Sequence, residues 1–241
     1  SRGLGDVYKR QYDNTDVTFY GDTCEALEAQ KTALRSAEKF IFMEYFIVAE
    51  GKMWNTVLEI LKKKVQEGVE VRFMYDGTCS ISLLPYNYPK KLEEYGIKCK
   101  IFNPIKPALS TVQNNRDHRK IVVIDGKTAF TGGVNLADEY INKIVRFGYW
   151  KDSTVRLTGD GAWGFAVQFM QMWKMLGRHF PNEDDYYRSR REGPAAEGFC
   201  QPFEDGPLNN PDNPVEAVYL QLIASACLLY TSPSPRDVEE S

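Results

Sequence analysis

The chain is poor in histidine, in cysteine and in long apolar runs. Its 241 residues include two histidines, His118 and His179, and five cysteines that form no CxxC pair or other short metal spacing. We therefore expect no metal site and no other cofactor, with reduced thiols in a cytoplasmic setting. No run reaches the ~18 continuous apolar residues of a membrane span, although an anchor upstream of this sequence stays open.

The charge balance gives no sign of a polyanion-binding field. Thirty Lys and Arg residues stand against 33 Asp and Glu residues, for a formal net charge of −3. Proteins that hold nucleic acid through its phosphates usually carry a basic patch or a basic overall charge. No nucleic-acid partner is therefore expected.

Both ends of the chain resemble translated DNA adapters from library preparation. Residues 1–11 read SRGLGDVYKRQ, and the segment 227–241 begins CLLYTSPSPRD. When the first string is back-translated, its reverse complement encodes the start of the second, which two unrelated protein termini would not do. We therefore expect the native protein to run from about residue 12 to about residue 226, rather than to end in natural flexible tails, and exclude both ends from fold reasoning.

Strand and helix signals alternate along the native part. Residues 40–48 (FIFMEYFIV) predict a strand buried on both faces, and Asp22 precedes a helix with Glu25 at capping-box spacing. This alternation predicts an α/β fold with a mainly parallel mixed sheet covered by helices. Further strands are expected at 17–20, 69–75, 98–102 and 153–157, and helices at 54–65, 90–95, 160–176 and 215–226. The apolar 160–176 helix is expected to be a buried core helix rather than a membrane-contacting one.

One short run carries most of the chemical information. His118 and Lys120 lie two residues apart in DHRKIVVID, so a strand would place them on the same face. An imidazole beside an ammonium suits a phosphate, since one can attack phosphorus while the other holds its oxygens. Asp125-Gly126 then predicts a hairpin turn, with residues 128–131 returning beside the first strand.

The motif resembles that of a known superfamily. His118, Lys120 and Asp125 match the HxKxxxxD motif of the phospholipase D superfamily, and Gly132-Gly133-Val134-Asn135 matches its trailing GGxN variant. The surrounding sequence is similar to the first catalytic half of bacterial cardiolipin synthases, and residues 202–226 resemble the start of the second half. The strings that carry this are FIFMEYFIVAEGKMW, EGVEVRFMYDG, DHRKIVVIDGKTAFTGGVNLADEY and RFGYWKDSTVRLTG.

The resemblance implies a phospholipase D-like sandwich of two pseudo-symmetric halves that share one site. Residues 12–180 would form the first half, 181–214 a linker or long loop, and 215–226 the truncated start of the second. The partner of this half would be the missing second half or a homodimer copy. The implied reaction joins two phosphatidylglycerol molecules into cardiolipin and glycerol through a phosphohistidine, without a metal, at the cytoplasmic side of the bacterial membrane surface.

The resemblance also implies roles for single residues. His118 would be the nucleophile or its acid/base partner, and Lys120 would clamp the phosphate. Asp125 stands in the catalytic motif, yet we expect it to fix the loop through backbone hydrogen bonds rather than to touch substrate. Asn135 would donate to a phosphate oxygen, or would cap a helix over residues 136–140.

Two further positions flank the motif. Asp152 resembles the carboxylate that holds the histidine ring in the right tautomer, although a plain strand-edge aspartate is the open alternative. Gly133 stands where many members of the superfamily have serine, so we expect its backbone N–H to bind phosphate in place of a hydroxyl.

Two other interpretations remain. The parent protein could be another phospholipase D-type phosphodiesterase, a lipid hydrolase or a nuclease, and the acidic balance disfavours the nuclease. Alternatively, this chain is an inactive half that only binds anionic phosphate groups. The isolated chain is expected to be inactive unless it dimerises and brings two His118 side chains together.

Overall fold

The computed structural model describes residues 11–105, 114–146, 148–177, 180, 186, 198–204 and 214–226. The predicted adapter ends, apart from Gln11, lie outside the described residues, as do His179 and most of the predicted linker. The chain divides after Pro202 into two units, which are described separately.

A mixed seven-stranded sheet forms the centre of the first unit within the described residues. The strand order is β1-β7-β6-β5-β2-β3-β4. The strands are β1 (Thr15–Tyr20), β2 (Phe40–Tyr45), β3 (Glu70–Asp76), β4 (Lys98–Phe102), β5 (Ile121–Ile124), β6 (Thr128–Gly132) and β7 (Thr154–Gly159). The helices are α1 (Thr23–Arg35), α2 (Lys52–Gln66), α3 (Cys79–Ser82), α4 (Tyr88–Glu94) and α5 (Gly161–Met175), with a 3-10 turn at Asp138–Ile141.

The α/β prediction is confirmed, but the sheet is not mainly parallel. Only β2–β3 and β3–β4 pair in parallel in the described sheet, whereas β1–β7, β7–β6, β6–β5 and β5–β2 are antiparallel. The βαβ pattern holds only for β2 to β4. From β5 onward the chain turns back through a hairpin and then pairs with neighbours antiparallel, which removes the need for a crossover helix.

Strand β2 is buried on both faces, as predicted, because its alternate side chains enter two cores. Ile41 and Met43 pack in a core that also holds residues of α1 and α2. Phe40 and Phe42 pack in the opposite core, which contains much of α5. Phe42 stacks on Phe169 of α5 at a ring distance of 4.8 Å. The prediction that α5 is a core helix is therefore confirmed.

Two predicted local features are present. Asp22 caps α1 by accepting a hydrogen bond from the N–H of Glu25 at 2.9 Å. Asp125 and Gly126 both have positive φ, at 52° and 65°, and the N–H of Lys127 donates to the Ile124 carbonyl at 3.0 Å. This is the geometry of a hairpin turn, and β5 and β6 pair on either side of it.

The second unit contains α6 (Pro214–Ser225), close to the predicted helix at 215–226. None of the helices in the described ranges has both the length and the apolar character needed to cross a bilayer.

Candidate active site

All of the predicted site residues except Asp125 lie at one edge of the sheet. Because β5 and β7 run opposite to β2, β3 and β6, the beginnings of the former meet the ends of the latter at the same edge. His118 and Lys120 precede β5, which begins only at Ile121. The observed strand is thus shorter than the strand predicted over the whole motif. The two side chains lie in the segment that leads into β5.

His118 is exposed at this edge. Its ring lies 4.8 Å from the ring of Phe46, which follows the end of β2, at an interplanar angle of 52°. Partial desolvation and then the neighbouring Lys120 charge lower the pKa of the His118 imidazole, against the pull of Asp117 and Asp76. The neutral form, which a nucleophile requires, is therefore favoured at neutral pH.

Lys120 is almost fully buried behind His118, with 5 % of its surface exposed. Its Nζ donates to the His118 carbonyl oxygen at 2.5 Å and lies 5.3 Å from the centre of the Phe46 ring. Burial lowers the pKa of Lys120 to about 8, although the charges of Asp117 and Asp152 act in the opposite direction. The ammonium is thus held near the histidine backbone and begins to lose its proton at mildly alkaline pH.

A buried ionic network, which the sequence did not predict, fixes the segment around His118 to strand β2. The Arg119 guanidinium bonds Glu44 of β2 at 2.6 Å and Asp117 at 3.0 Å. Glu44 is fully buried, and this burial raises the pKa of its carboxyl well above the usual range despite the Arg119 charge. Burial would also raise the pKa of Asp117, but the neighbouring Glu44 carboxyl and the charge of Arg119 lower it overall. Glu44 and Asp117 together therefore retain one proton more readily than two free carboxylates would.

Asp76, at the end of β3, ties the same segment to the sheet. Its fully buried carboxylate accepts hydrogen bonds from the backbone N–H of Asp117 at 3.0 Å and of Thr78 at 2.8 Å. The Arg116 guanidinium lies 3.3 Å from it. Residues on both sides of His118 are thus anchored, while the His118 ring itself stays accessible.

Asn135 is buried rather than open to the edge, with 3 % exposed. Its Oδ1 accepts from the N–H of Ile47 at 2.8 Å, and its Nδ2 donates to the Tyr140 hydroxyl at 2.8 Å. The alternative of a helix cap is wrong, because the following element is a 3-10 turn preceded by Ala137. An amide nitrogen has two hydrogens and Tyr140 accepts one, so the phosphate-donor role stays a prediction.

Gly133 and Asp152 lie in direct contact across the ends of β6 and β7. A Cβ at Gly133 would lie 2.2 Å from Asp152 Oδ1, so only glycine leaves the carboxylate where it is. The Gly133 N–H donates to the Ser153 carbonyl at 3.3 Å. The expectation that this N–H binds phosphate is therefore corrected, because it already donates to the backbone of Ser153.

Asp152 accepts hydrogen bonds from the N–H of Ser153 at 2.7 Å and from Trp150 Nε1 at 3.3 Å. Its charge acts on the pKa of Lys120, whereas the carboxylates that act on His118 are Asp117 and Asp76. The structure thus places Asp152 beside the lysine of the pair, and its expected role in orienting the histidine stays a prediction.

Replacing Gly133 by alanine is expected to displace the Asp152 carboxylate and so to lower the pKa of Lys120 below about 8. One of the two anionic groups that favour the ammonium would move away. NMR titration of the lysine Cε signals measures this in the chain itself. Asp152→Asn should shift Lys120 in the same direction, whereas Gly21→Ala, at a glycine with room for a Cβ at 3.4 Å, should not. An unchanged Lys120 pKa in both site variants would contradict the assignment.

Asp125 lies at the opposite end of β5 from Lys120. The two residues are five positions apart along a nearly extended chain, on the order of 16 Å. Its carboxylate accepts hydrogen bonds from the backbone N–H groups of Glu38 at 2.9 Å, Lys39 at 2.7 Å and Phe40 at 2.9 Å. The structure therefore brings His118 and Lys120 together but does not bring Asp125 to them.

No group of three or more His, Cys, Asp or Glu side chains in the described part of the chain is arranged to hold a metal ion. The cations at this edge are supplied by side chains, Lys120, Arg116 and Arg119.

The known proteins that this chain resembles include cardiolipin synthases. The family described as "Cardiolipin synthase, PLD-like domain" matches residues 31–145. An uncharacterised protein of Streptococcus mutans is 49% identical over 215 residues, which cover 89% of this chain and 46% of that protein. A cardiolipin synthase of Alkalihalophilus pseudofirmus is 42% identical over 65% of this chain and 32% of its own length. Cardiolipin synthase 2 of Bacillus anthracis is 34% identical over 84% of this chain and 39% of its own length.

Solved structures share the fold. NucT from Helicobacter pylori superposes with a TM-score of 0.51 at 14% identity, covering 66% of this chain and 96% of that one. A phosphatidylserine synthase from Haemophilus influenzae gives a TM-score of 0.52 at 15% identity, covering 70% of this chain and 41% of that one.

The family match, together with the shared fold, makes this a domain of the phospholipase D superfamily. Within that superfamily, residues 31–145 belong to the cardiolipin synthase, PLD-like domain family, and the relatives named above include bacterial cardiolipin synthases. It spans less than half the length of the curated relatives described above.

Proposed function

We propose that the parent protein transfers a phosphatidyl group between two phosphatidylglycerol molecules, giving cardiolipin and glycerol. The observation that carries this proposal is a pair of side chains at one edge of the sheet. The imidazole of His118 is exposed and favoured in its neutral form, and it lies beside the buried ammonium of Lys120. Membership in the cardiolipin synthase family supports the choice of a phosphatidyl group.

The proposed first step is attack by a His118 ring nitrogen on phosphorus. The new N–P bond forms as the P–O bond to the glycerol headgroup breaks, and the leaving oxygen takes a proton from a separate general acid. Lys120 offsets charge on a non-bridging phosphate oxygen, and Asn135 supplies a further N–H. In the second step the glycerol hydroxyl of another phosphatidylglycerol attacks phosphorus, loses its proton to the same group and releases His118.

The general acid that protonates the leaving glycerol is proposed to come from another phospholipase D-like half. It would be the second half of the parent protein or a homodimer copy of this chain. The network of Glu44, Asp117 and Arg119 holds the lead-in segment rigid but buries its own acidic groups, so it is not placed to protonate a leaving alcohol. We therefore propose that the isolated monomeric chain does not turn over, and that the parent works at the cytoplasmic membrane surface.

The test supplies full-length parent protein with phosphatidylglycerol vesicles and quantifies lipids and free glycerol by mass spectrometry. Equimolar cardiolipin and glycerol are expected. Phosphatidic acid with glycerol would instead indicate a lipid hydrolase, and cleavage of DNA without lipid turnover would indicate a nuclease. A second test applies the same assay to this chain alone, and turnover by a monodisperse monomer would contradict the need for a second half.

A further inference from the structure

A short loop beside the site combines exposed apolar side chains with positive charge. It comprises residues 143–149 between the 3-10 turn and β7, and Phe147 lies outside the described residues. Ile144 is 55%, Val145 79% and Tyr149 78% exposed. Three large apolar side chains in one exposed segment are unusual for a surface that faces only water.

The loop and the two residues that follow it carry a charge opposite in sign to that of the whole chain. The sequence from Lys143 to Lys151 is KIVRFGYWK, with three cations and no anion, in a chain of net charge −3. Lys143 and Lys151 are exposed, and Arg146 is 3.4 Å from Glu139 with 56% of its side chain exposed. Basic residues interleaved with apolar and aromatic ones fit an anionic bilayer interface, where the cations meet headgroups and the apolar groups enter the acyl boundary.

The loop is held in shape at its base. Asn142 has a positive φ of 55°, and its amide bonds the backbone of Trp150 twice, through Oδ1 from the N–H at 2.6 Å and through Nδ2 to the carbonyl at 2.9 Å. These two bonds close the loop as a β-bridge would. The exposed side chains are thus presented by a clamped base, which lowers the entropy cost of inserting them.

The same base is connected to the site. The Trp150 ring packs on Tyr140 at 4.5 Å, and the Tyr140 hydroxyl accepts from Asn135. Trp150 Nε1 donates to Asp152, which lies against Gly133. A bilayer that receives the loop is therefore brought to the sheet edge where His118 lies.

We propose that residues 143–149 form an interfacial surface that binds anionic phospholipid bilayers and sets the His118 edge against the headgroup layer. The proposal rests on the proposed function only in that the bilayer would also hold the substrate. A second copy of this chain, or the missing half, is the competing occupant of the same surface.

Vesicle co-sedimentation of this chain tests the proposal, with vesicles of phosphatidylcholine alone or mixed equally with phosphatidylglycerol. Binding is expected only to the mixed vesicles and is expected to weaken as salt rises. The double variant Lys143→Gln/Lys151→Gln should bind roughly 25-fold more weakly, at about fivefold for each lysine near the surface. Its control is Lys52→Gln/Lys63→Gln, which removes the same charge from two exposed lysines of α2.

The apolar contribution has a matched control as well. Ile144→Ser/Val145→Ser should weaken binding by roughly tenfold, whereas Val17→Ser, at an exposed valine of edge strand β1, should leave it unchanged. Equal binding by loop variants and controls would overturn the proposal. A change in oligomeric state by analytical ultracentrifugation, with vesicle binding unaltered, would overturn it in favour of a protein interface.

The assay also separates this surface from the proposed chemistry. His118→Ala should bind vesicles like the unmodified chain, because the histidine lies outside the loop. If the full-length parent makes no cardiolipin while loop-dependent binding persists, the proposed function fails and the surface stands. If cardiolipin forms at an unchanged rate in the loop variants on the same vesicles, the surface is wrong and the chemistry stands.

Discussion

His118→Ala in the full-length parent protein is expected to reduce phosphatidyl transfer by ~10⁴-fold or more while leaving the fold intact. The substitution removes the only group proposed to form a bond with phosphorus in this half. The ring is exposed, and Lys120 bonds the His118 backbone carbonyl rather than the ring, so that contact survives the change. Transfer is measured as cardiolipin formed per enzyme, and the fold by thermal unfolding.

The prediction separates chemistry from stability because a matched position is available. Phe46→Leu removes the ring that lies against His118 but keeps an apolar side chain, and it should lower transfer far less than His118→Ala. Mass spectrometry of acid-labile, base-stable phosphohistidine peptides then shows whether His118 carries the covalent intermediate. Retained transfer in His118→Ala would remove the mechanism, and a covalent adduct only on another histidine would make His118 the acid/base partner.

The central strand and the hairpin could be predicted because their signals are local. The run from Phe40 to Val48 is apolar at nearly every position, and Asp125-Gly126 is one of the few dipeptides that accept two positive φ angles. The direction of strand pairing could not be predicted in the same way. Periodicity identifies a strand but not its neighbour, and β5 pairs with β2, some eighty residues earlier, antiparallel.

The support of the site was missed for a related reason. Glu44 is a single acidic residue in an apolar run, and its partner Arg119 lies 75 positions away in sequence. Asp76 precedes a glycine directly after the predicted strand at 69–75, a position that indicates only a turn, yet its carboxylate anchors the backbone of Asp117. The one available signal was energetic, since a charge inside a doubly buried strand requires an ionic or hydrogen-bonding partner. In the described part of the chain, Arg119 of the motif is the ionic partner of Glu44.

Asp125→Ala is expected to destabilise this chain by about 3–5 kcal/mol rather than to act on the chemistry. Three backbone N–H groups at the start of β2 would lose a charged acceptor, and alanine adopts the positive φ of 52° less readily than aspartate. For a domain of this size the unfolding midpoint should fall by roughly 10 °C. Urea and thermal unfolding of the chain measure the loss.

Two companions show which property of Asp125 matters. Asp125→Asn keeps a side-chain oxygen acceptor and the tolerance for positive φ, so its loss of stability should be intermediate. Asp16→Ala, at an exposed aspartate of β1 with one 3.4 Å bond to Thr18, should change stability by less than about 0.5 kcal/mol. In the full-length parent, the folded fraction of Asp125→Asn should transfer phosphatidyl groups at close to the normal rate, because the carboxylate lies a strand length from Lys120. Normal stability of Asp125→Ala together with lost transfer would reverse the assignment, since only a residue that acts on the reacting groups could behave in that way.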